Sequence, residues 1–313
     1  MYDKLGLKSM LTKAKRRVFF YASISFFFIA AVPILLYSLG YGISRDFKIL
    51  KTGGIFIQAS ETGADIFIDS RHKRTSFLGK SGLIKNLVPG TYKVSVTKEG
   101  FWDWEKQLEV MSETVTARSA LLVPKNPDGK ILGTTTPPIK KNKPPYASIK
   151  KFWAIPKTED FIILGDDKKF YRNKELFDIY KIFGTTTAEI LRSKKESVFD
   201  ETFSRVIYWD SGVIDTFWFE DAKKMPEWQK NPFLQVGPNN FMGPIRQVFS
   251  YPDWPDWLIA TMSNGVWALE MDSSGRQNAF PLYQGKQPNI ISLEPDEIIV
   301  LDDGNYLEIT LPK

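Results

Sequence analysis

Residues 87–101, which read LVPGTYKVSVTKEGF, carry the pattern that decides the fold of the middle of this chain. Pro89-Gly90 is typical of a tight turn, because proline fixes φ and glycine accepts positive φ. From Tyr92 to Thr97 apolar and polar residues alternate, which is the period of a β-strand with one buried face. Gly100 then ends this strand. The stretch therefore predicts a turn followed by a half-buried strand.

Short strands separated by turn signals continue on both sides of this stretch. Residues 55–59 precede the turn signal Glu61-Thr62-Gly63, and residues 64–69 alternate again before a polar turn. Residues 106–123 supply two more strands. Because no segment shows helical period, we predict a small antiparallel β-sandwich over residues 53–124.

The Pro-Gly turn, the Tyr-x-Val-x-Val strand and the closing Gly100-Phe101 resemble the signature of the PEGA domain family. The hairpin of residues 64–69 also fits that family. The chain departs from the family pattern at Asp69-Ser70, where Asp-Gly is usual, and lacks the Thr-Pro element around residues 78–83. The resemblance implies a surface-associated, non-catalytic β-module over residues 53–124.

A segment of 27 residues, 18–44, contains no charged side chain. In a helix, at ~1.5 Å per residue, it is long enough to cross a ~30 Å hydrocarbon core. Four basic residues precede it and act as topology determinants: Lys13, Lys15, Arg16 and Arg17. Positive charge before a span tends to stay in the cytoplasm. We predict a cytoplasmic tail (1–17), a transmembrane signal-anchor helix (18–44) and a juxtamembrane segment (45–52).

This topology places the bulk of the chain outside the cytoplasm, attached to the cell membrane by a single span. A cleaved signal peptide is the alternative, but its apolar core would cover only ~7–15 residues. Leu39-Gly40-Tyr41-Gly42 is also a poor cleavage site.

The net charge of +6 is unevenly distributed along the chain. Residues 45–150 carry 18 basic and 10 acidic side chains, whereas residues 151–313 carry 18 basic and 25 acidic ones. A basic region beside the membrane is attracted to anionic headgroups, so a lipid bilayer is a predicted partner. Nucleic acid is not, because no recognition motif is present. The absence of cysteine excludes disulfides, thiol nucleophiles and Cys-ligated metals.

Residues 125–150 contain five prolines and repeated lysines, which predicts an extended linker or a chain wrapping the next domain. Beyond the linker, one pattern recurs four times: an apolar strand, a tight polar turn and another apolar strand. The turns are Asp166-Asp167, Asp210-Ser211-Gly212, Ser263-Asn264-Gly265 and Asp302-Asp303-Gly304.

Spacings of ~40–50 residues with several short strands per unit are typical of propeller blades. Residues 151–313 are therefore predicted to be a β-propeller-like domain, and they resemble bacterial propeller repeats. A second β-sandwich is the alternative fold. The fourth unit ends after its third expected strand, and residues 131–134 of the linker are the candidate for the missing one. Otherwise the stack is open, or two chains pair; the oligomeric state is left undecided.

Catalytic chemistry has few candidates in this sequence. The only histidine is His72, and no Gly-x-Ser-x-Gly motif is present. Paired carboxylates remain, as in glycosidases, but Asp166-Asp167 and Asp302-Asp303 both stand where hairpin turns favour Asp. We therefore expect no enzyme, no cofactor and no metal.

Two groups of side chains are candidates for binding. Four tryptophans could stack on sugars or peptides, with packing as the alternative: Trp102, Trp104, Trp254 and Trp257. Three basic residues, Arg71, Lys73 and Arg74, could contact an anion or a lipid headgroup, with a solvated hairpin tip as the alternative. We expect a membrane-anchored extracytoplasmic binding or scaffold protein of the cell envelope. Its partner would be a cell-wall glycan or an envelope protein. The rival function is a carboxylate-dependent cell-wall polysaccharide hydrolase.

Overall fold

The computed structural model describes residues 13–44, 46–69, 71–74, 79–135, 137, 149–236, 244–272 and 274–312. The fold is mainly β, as the sequence predicted, with one apolar helix at the N-terminal end and several small antiparallel sheets. Contact density divides the chain into two compact units. The first comprises residues 1–56, 83–92 and 109–118, and the second comprises residues 57–82, 93–108 and 119–313.

The first unit begins with helix α1 (Lys13–Ser38), none of whose residues is buried. Among the described residues, α1 is the one helix whose length and composition would let it cross a membrane. Pro33 lies inside it. The helix ends six residues before the end of the predicted apolar span, because Gly40 adopts a φ of +82° and a strand follows at Tyr41.

After the helix, strands β1 (Tyr41–Ile43) and β2 (Ile49–Lys51) form an antiparallel hairpin. The next strands, in chain order, are β3 (Gly53–Ala59), β4 (Asp65–Ile68), β5 (Arg71–Arg74), β6 (Ser81–Leu87), β7 (Gly90–Thr97), β8 (Trp104–Val110) and β9 (Val115–Ala120). They make a three-stranded sheet, β6-β3-β9, and a four-stranded sheet, β5-β4-β7-β8. The predicted alternation holds in both sheets, since Ile55 and Ile57 of β3 and Val94 and Val96 of β7 are buried.

The distal part of the second unit contains four four-stranded sheets. Their strands, after β10 (Gly129–Gly133), are β11 (Ile149–Ala154), β12 (Phe161–Gly165), β13 (Phe170–Arg172), β14 (Glu175–Leu176), β15 (Glu196–Phe199), β16 (Arg205–Trp209), β17 (Ile214–Trp218), β18 (Phe233–Val236), β19 (Gln247–Ser250), β20 (Trp257–Met262), β21 (Gly265–Glu270), β22 (Ala279–Gln284), β23 (Asn289–Leu293), β24 (Glu297–Asp302) and β25 (Asn305–Thr310). The first three sheets follow chain order, and the fourth has the order β10-β25-β24-β23.

Strand β10 supplies the fourth strand of the last sheet, which confirms the prediction made for residues 131–134. It pairs antiparallel with β25, with Ile131 opposite Leu307. Lys130 Nζ lies 2.7 Å from Glu308 Oε1 across the pair. Within the predicted linker, residues 136 and 138–148 lie outside the described residues, and residues 149–150 begin β11.

Neighbouring distal sheets pack against one another through shared apolar clusters. One cluster joins residues of the first and second sheets, including Trp153 and Val206. A second cluster joins the second and third sheets, including Trp209 and Leu258. Gln247 connects the third sheet to the fourth by hydrogen bonds to the backbone of Ile290. No closed barrel or propeller is found in the part of the chain that the structure describes, so the propeller arrangement stays a prediction.

Helix α2 (Ile179–Arg192) was not predicted from the sequence. The carboxylate of Asp178 caps it by accepting a hydrogen bond from Lys181 N. Gly184 interrupts the helix with a φ of +79°, and three threonines follow it. Glycine and β-branched residues are poor helix formers, so local propensity disfavours a helix here even though the apolar residues recur at helical spacing. Its inner face nevertheless packs Ala188 and Leu191 into the cluster between the first two sheets.

Candidate functional site

The four candidate tryptophans differ in their exposure. Trp104 and Trp257 are almost completely buried. The indole N–H of Trp104 donates to Glu270 Oε1, and Trp257 stacks on Phe280 with 5.8 Å between ring centroids. These two side chains therefore pack in the interior and offer no face to a ligand. Trp102 and Trp254 keep exposed surface.

The basic cluster lies on strand β5, which corrects the expectation of a hairpin loop. In this strand Arg71 pairs with Ile68 and Arg74 with Asp65. His72 Nε2 is 2.8 Å from Asp65 Oδ1, and its ring stacks on Phe67. The side chains of Arg71 and Lys73 are exposed. A strand forms here because each of its four residues pairs with a residue of the antiparallel strand β4.

The four topology determinants lie in the first turns of α1. All four side chains are exposed, at Lys13, Lys15, Arg16 and Arg17. Their positions at one end of an apolar helix match the arrangement that the charge pattern predicted.

The paired carboxylates serve as acceptors for the hairpin turns. Asp167 accepts hydrogen bonds from Tyr171 Oη at 2.6 Å and from Lys169 N at 3.0 Å. These hydrogen bonds, that from Tyr171 above all, hold the pKa of Asp167 below its ordinary value. Asp166, beside it, is exposed.

The fourth sheet has a related arrangement around Asp302, which is buried. Its Oδ2 accepts from Tyr283 Oη at 2.9 Å and from Lys286 N at 2.8 Å. Burial, and then the hydrogen bond to Asp302, raise the pKa of Tyr283 to about 12. Asp167 thus has the structural role that hairpin chemistry suggests, whereas Asp302 joins its hairpin to the end of β22 and the segment after it.

Three open cavities lie at these polar turns. The largest, of about 600 Å³, is beside the first sheet and is lined by Asp167 and Lys174. A second, of about 370 Å³, is lined by Asp210 and Lys195 at the second sheet. A third, of about 280 Å³, is lined by Asp302, Lys286 and Ile131 at the fourth. Each cavity therefore combines a turn aspartate with a lysine and some apolar wall. We call them the turn cavities.

Lys195 shows the electrostatics of one turn cavity. Its Nζ is 2.8 Å from Asp215 Oδ2 and 3.6 Å from Asp210 Oδ2. The hydrogen bond to Asp215 raises the pKa of Lys195, so the lysine stays charged. Such a wet, mixed-charge cavity suits hydroxyl, amide and carboxylate groups of a ligand.

A buried lysine on strand β8 is a feature that the sequence analysis missed. Lys106 Nζ lies 3.0 Å from Glu270 Oε2, and both side chains are almost fully buried, at 0% and 3% exposure. The ammonium group also donates to the backbone carbonyls of Asp272 and Arg276. Strand parity gives a partial signal, since Lys106 has the same parity as the buried Trp104 and Leu108, but a lysine is expected to be exposed unless a buried partner is known.

Asn278 completes this buried cluster. Its Nδ2 donates to Glu270 Oε2 at 2.7 Å and to the carbonyl of Glu105 at 3.0 Å. Its Oδ1 accepts from Glu105 N at 3.1 Å. Burial raises the pKa of Glu270 to about 7, against the opposing attraction of Lys106. We call Trp104, Lys106, Glu270, Asp272 and Asn278 the buried lysine cluster. It attaches β8 to β21 and to the loop that follows β21.

Metal chemistry has no support in the described ranges. They contain no group of three or more His, Cys, Asp or Glu residues that could hold a metal ion.

Comparison with known proteins identifies one domain of the chain. Residues 52–126 match the model of the PEGA domain family, which confirms the resemblance found around the Pro-Gly turn. The match covers this domain and not the distal sheets. No curated protein matches the chain.

Several solved structures are similar at low scores. The AfRom2 CNH domain has 9% identity and a TM-score of 0.29, over 77% of this chain and 67% of that one. A luciferin-regenerating enzyme has 13% identity and a TM-score of 0.29, over 82% of this chain and 90% of that enzyme. Hsv2 of Kluyveromyces lactis has 12% identity and a TM-score of 0.28, over 82% of this chain and 74% of Hsv2. At these scores the likenesses support no statement about this chain.

Proposed function

We propose that this protein is a non-catalytic binding or scaffold protein, anchored in a cell membrane by α1 and carrying its β-domains outside the cytoplasm. The observation that carries the proposal is the exposure of α1. The 21 apolar and uncharged residues 18–38 of this helix are not buried by the rest of the chain. At ~1.5 Å per residue they span about 32 Å, close to the ~30 Å of a hydrocarbon core.

The orientation follows from charge. Lys13, Lys15, Arg16 and Arg17 mark the cytoplasmic end, because basic flanks are retained on that side. The chain lacks cysteine, so single-cysteine variants report topology without background. In intact cells stripped of their wall, Leu176→Cys should react with a membrane-impermeant maleimide and Lys13→Cys should not. Reaction of the cysteine at position 13 with protection of the cysteine at position 176 would show that the orientation is the opposite one. Solubility of the whole chain without detergent would show that α1 is not a membrane anchor.

The ligand surface we propose is the set of turn cavities. Three cavities with similar chemistry suit a polymer with repeated polar groups, and a cell-wall glycan is the ligand we favour over an envelope protein. The turn lysines Lys174, Lys195 and Lys286 are the residues to test, by replacement with alanine. Sedimentation of the detergent-solubilised protein with purified cell-wall glycan measures the binding.

Each replacement should weaken glycan binding, and the triple variant should abolish it. Lys230→Ala is the matched control, because Lys230 is exposed and lies outside the three cavities. Binding that the triple variant leaves unchanged would remove the turn cavities from the proposal. Binding to envelope proteins instead of the glycan would select the other partner.

The rival function is a carboxylate-dependent polysaccharide hydrolase. One observation favours it: Asp166 and Asp167 line a cavity of about 600 Å³. Release of reducing ends from peptidoglycan or surface glycans, abolished by Asp166→Asn or Asp167→Asn, would establish the hydrolase and overturn the non-catalytic proposal.

A further inference from the structure

The hairpin that follows α1 exposes apolar side chains. Ile43 and Ile49 are direct cross-strand partners, so their side chains point to the same face of the hairpin. They are 67% and 56% exposed. A two-stranded hairpin in water normally covers such a face or makes it polar, because isolated hairpins are marginally stable.

The tip of this hairpin is more unusual. Phe47 has a φ of +58° and is 89% exposed. The left-handed region is disfavoured for a bulky residue, and Asn or Gly adopts it at lower cost. Phe47 N donates to Ser44 O, which holds the residue in this turn. Folding in water does not explain an exposed phenyl ring beside two exposed isoleucines, so this exposure points to a contact made by the ring outside the chain.

The hairpin is fixed to the end of the helix. The carbonyl of Gly40 accepts hydrogen bonds from both Thr52 N and Thr52 Oγ1, each at 2.7 Å. Because residues 18–38 match the hydrocarbon thickness, the chain leaves the apolar core near Ser38. The headgroup layer of each leaflet is about 5–8 Å thick. The hairpin therefore begins within that layer.

A second exposed apolar segment lies beside the hairpin in the same unit. Glu113 N donates to Thr52 O, and Lys51 Nζ pairs with Glu113 Oε1 at 2.5 Å. These contacts hold the turn of residues 111–114 next to β2. Met111 and Val115, on either side of this turn, are both exposed.

We propose that the β1–β2 hairpin, with Phe47 at its tip, is a second membrane contact that inserts into the headgroup layer beside α1, with Met111 and Val115 extending the apolar surface. The inference rests on the proposed membrane anchoring. Three observations select the bilayer as the occupant: covalent continuity with a helix of membrane length, exposed aromatic and aliphatic side chains on a hairpin that is hydrogen-bonded to the end of that helix, and the adjacent exposed Lys48. Apolar side chains such as Phe are buried at the boundary between headgroups and acyl chains, and lysine is attracted to anionic headgroups.

Single-cysteine labelling tests the contact on the full chain. The variants Phe47→Cys, Ile29→Cys and Leu176→Cys carry an environment-sensitive fluorophore, in vesicles of phosphatidylcholine with a minority of phosphatidylglycerol. Lipids with a spin label at a shallow or a deep acyl position act as quenchers. The label at residue 47 should emit at shorter wavelength and respond to the shallow quencher. The label at 29 should respond to the deep quencher, and the label at 176 should resemble one in water.

The controls separate this inference from the anchoring on which it rests. Absence of quenching at residue 29 would show that α1 does not lie in the bilayer and would contradict the proposed anchoring. Quenching at 29 with a water-like label at 47 would leave the anchor intact and overturn the hairpin contact. A shift at 47 that depends on the protein-to-lipid ratio, without quenching, would mean that a second copy covers the hairpin, which also overturns the proposal.

A paired substitution isolates the role of the phenyl ring. With the label at Ile49→Cys, a second change of Phe47→Asn should reduce shallow quenching, although Asn suits the left-handed turn better. Phe47→Leu should retain most of the quenching. Equal quenching in the Asn and Leu variants would show that Phe47 does not make the contact.

Discussion

Replacing Lys106 with methionine tests the buried lysine cluster most directly. Methionine keeps much of the apolar length of the lysine stem and removes the ammonium group. The change leaves Glu270 buried beside Asp272 without its cation, and the carbonyls of Asp272 and Arg276 lose a donor. Removing one partner of a buried ion pair costs about 3–5 kcal/mol.

The pH sets how much of this loss is observed. The pKa of Glu270 is about 7 with Lys106 present, and removing the positive charge raises it further. In the variant, Glu270 is therefore neutral at pH 6 and does not carry the full penalty of an unpaired charge. We expect the loss to approach about 3–5 kcal/mol near pH 8 and to be smaller at pH 6.

Urea unfolding of the detergent-solubilised chain, followed by tryptophan fluorescence, measures the effect. Lys93→Met is the matched control, because Lys93 pairs with Glu105 at 3.3 Å but its side chain is 64% exposed. An exposed pair contributes about 0–1 kcal/mol. A loss below about 1 kcal/mol for Lys106→Met, or an equal loss for Lys93→Met, would refute the reasoning.

Three further outcomes are expected. Because the fold raises the pKa of Glu270 from 4.5 to about 7, the folded state holds this proton more tightly. The free energy of unfolding should therefore fall as pH rises from about 4.5 to 7. At 1.36 kcal/mol per pKa unit, the fall is at most about 3 kcal/mol. The urea midpoints of Glu270→Gln should not show this dependence on pH. Removing residues 125–136 deletes β10, so the distal sheets should melt at lower temperature in calorimetry; an unchanged melting temperature would make the segment a tether only. Gly265→Ala places a Cβ directly against the carbonyl of Tyr283 and should cost about 3 kcal/mol. Gly304→Ala, at a φ of +77° in open space, should cost about 1 kcal/mol, and thermal melts compare the two.

Patterns with a short period were readable from the sequence. The alternation of β7 placed Val94 and Val96 in the interior, where both are buried. The polar turns identified the distal hairpins because Asp, Asn and Gly have specific backbone conformations there. The missing strand of the fourth sheet was found by counting strands, since an unpaired edge calls for a partner.

Features that depend on distant partners were not readable. Lys106 is buried because Glu270, 164 positions later, offers it a carboxylate. Residues 71–74 look like a solvated loop until β4 is available as a pairing partner. In α2, Gly184 and the three threonines after it lower the helix propensity, and the surrounding sheets supply the packing that stabilises the helix. The burial of Trp104 and Trp257 also depends on neighbours from other strands.

The pairing of β10 with β25 has a consequence for biosynthesis. The ribosome makes β10 before the first distal sheet and β25 after the other strands of all four distal sheets. At roughly 5–20 residues per second, the ~170 residues between them take about 10–30 s to synthesise. During that interval the nascent β10 carries an unsatisfied row of backbone donors and acceptors, with Ile131 beside them. The fourth sheet therefore cannot be completed before β25 is made, and until then the edge of β10 is open to pairing with other chains.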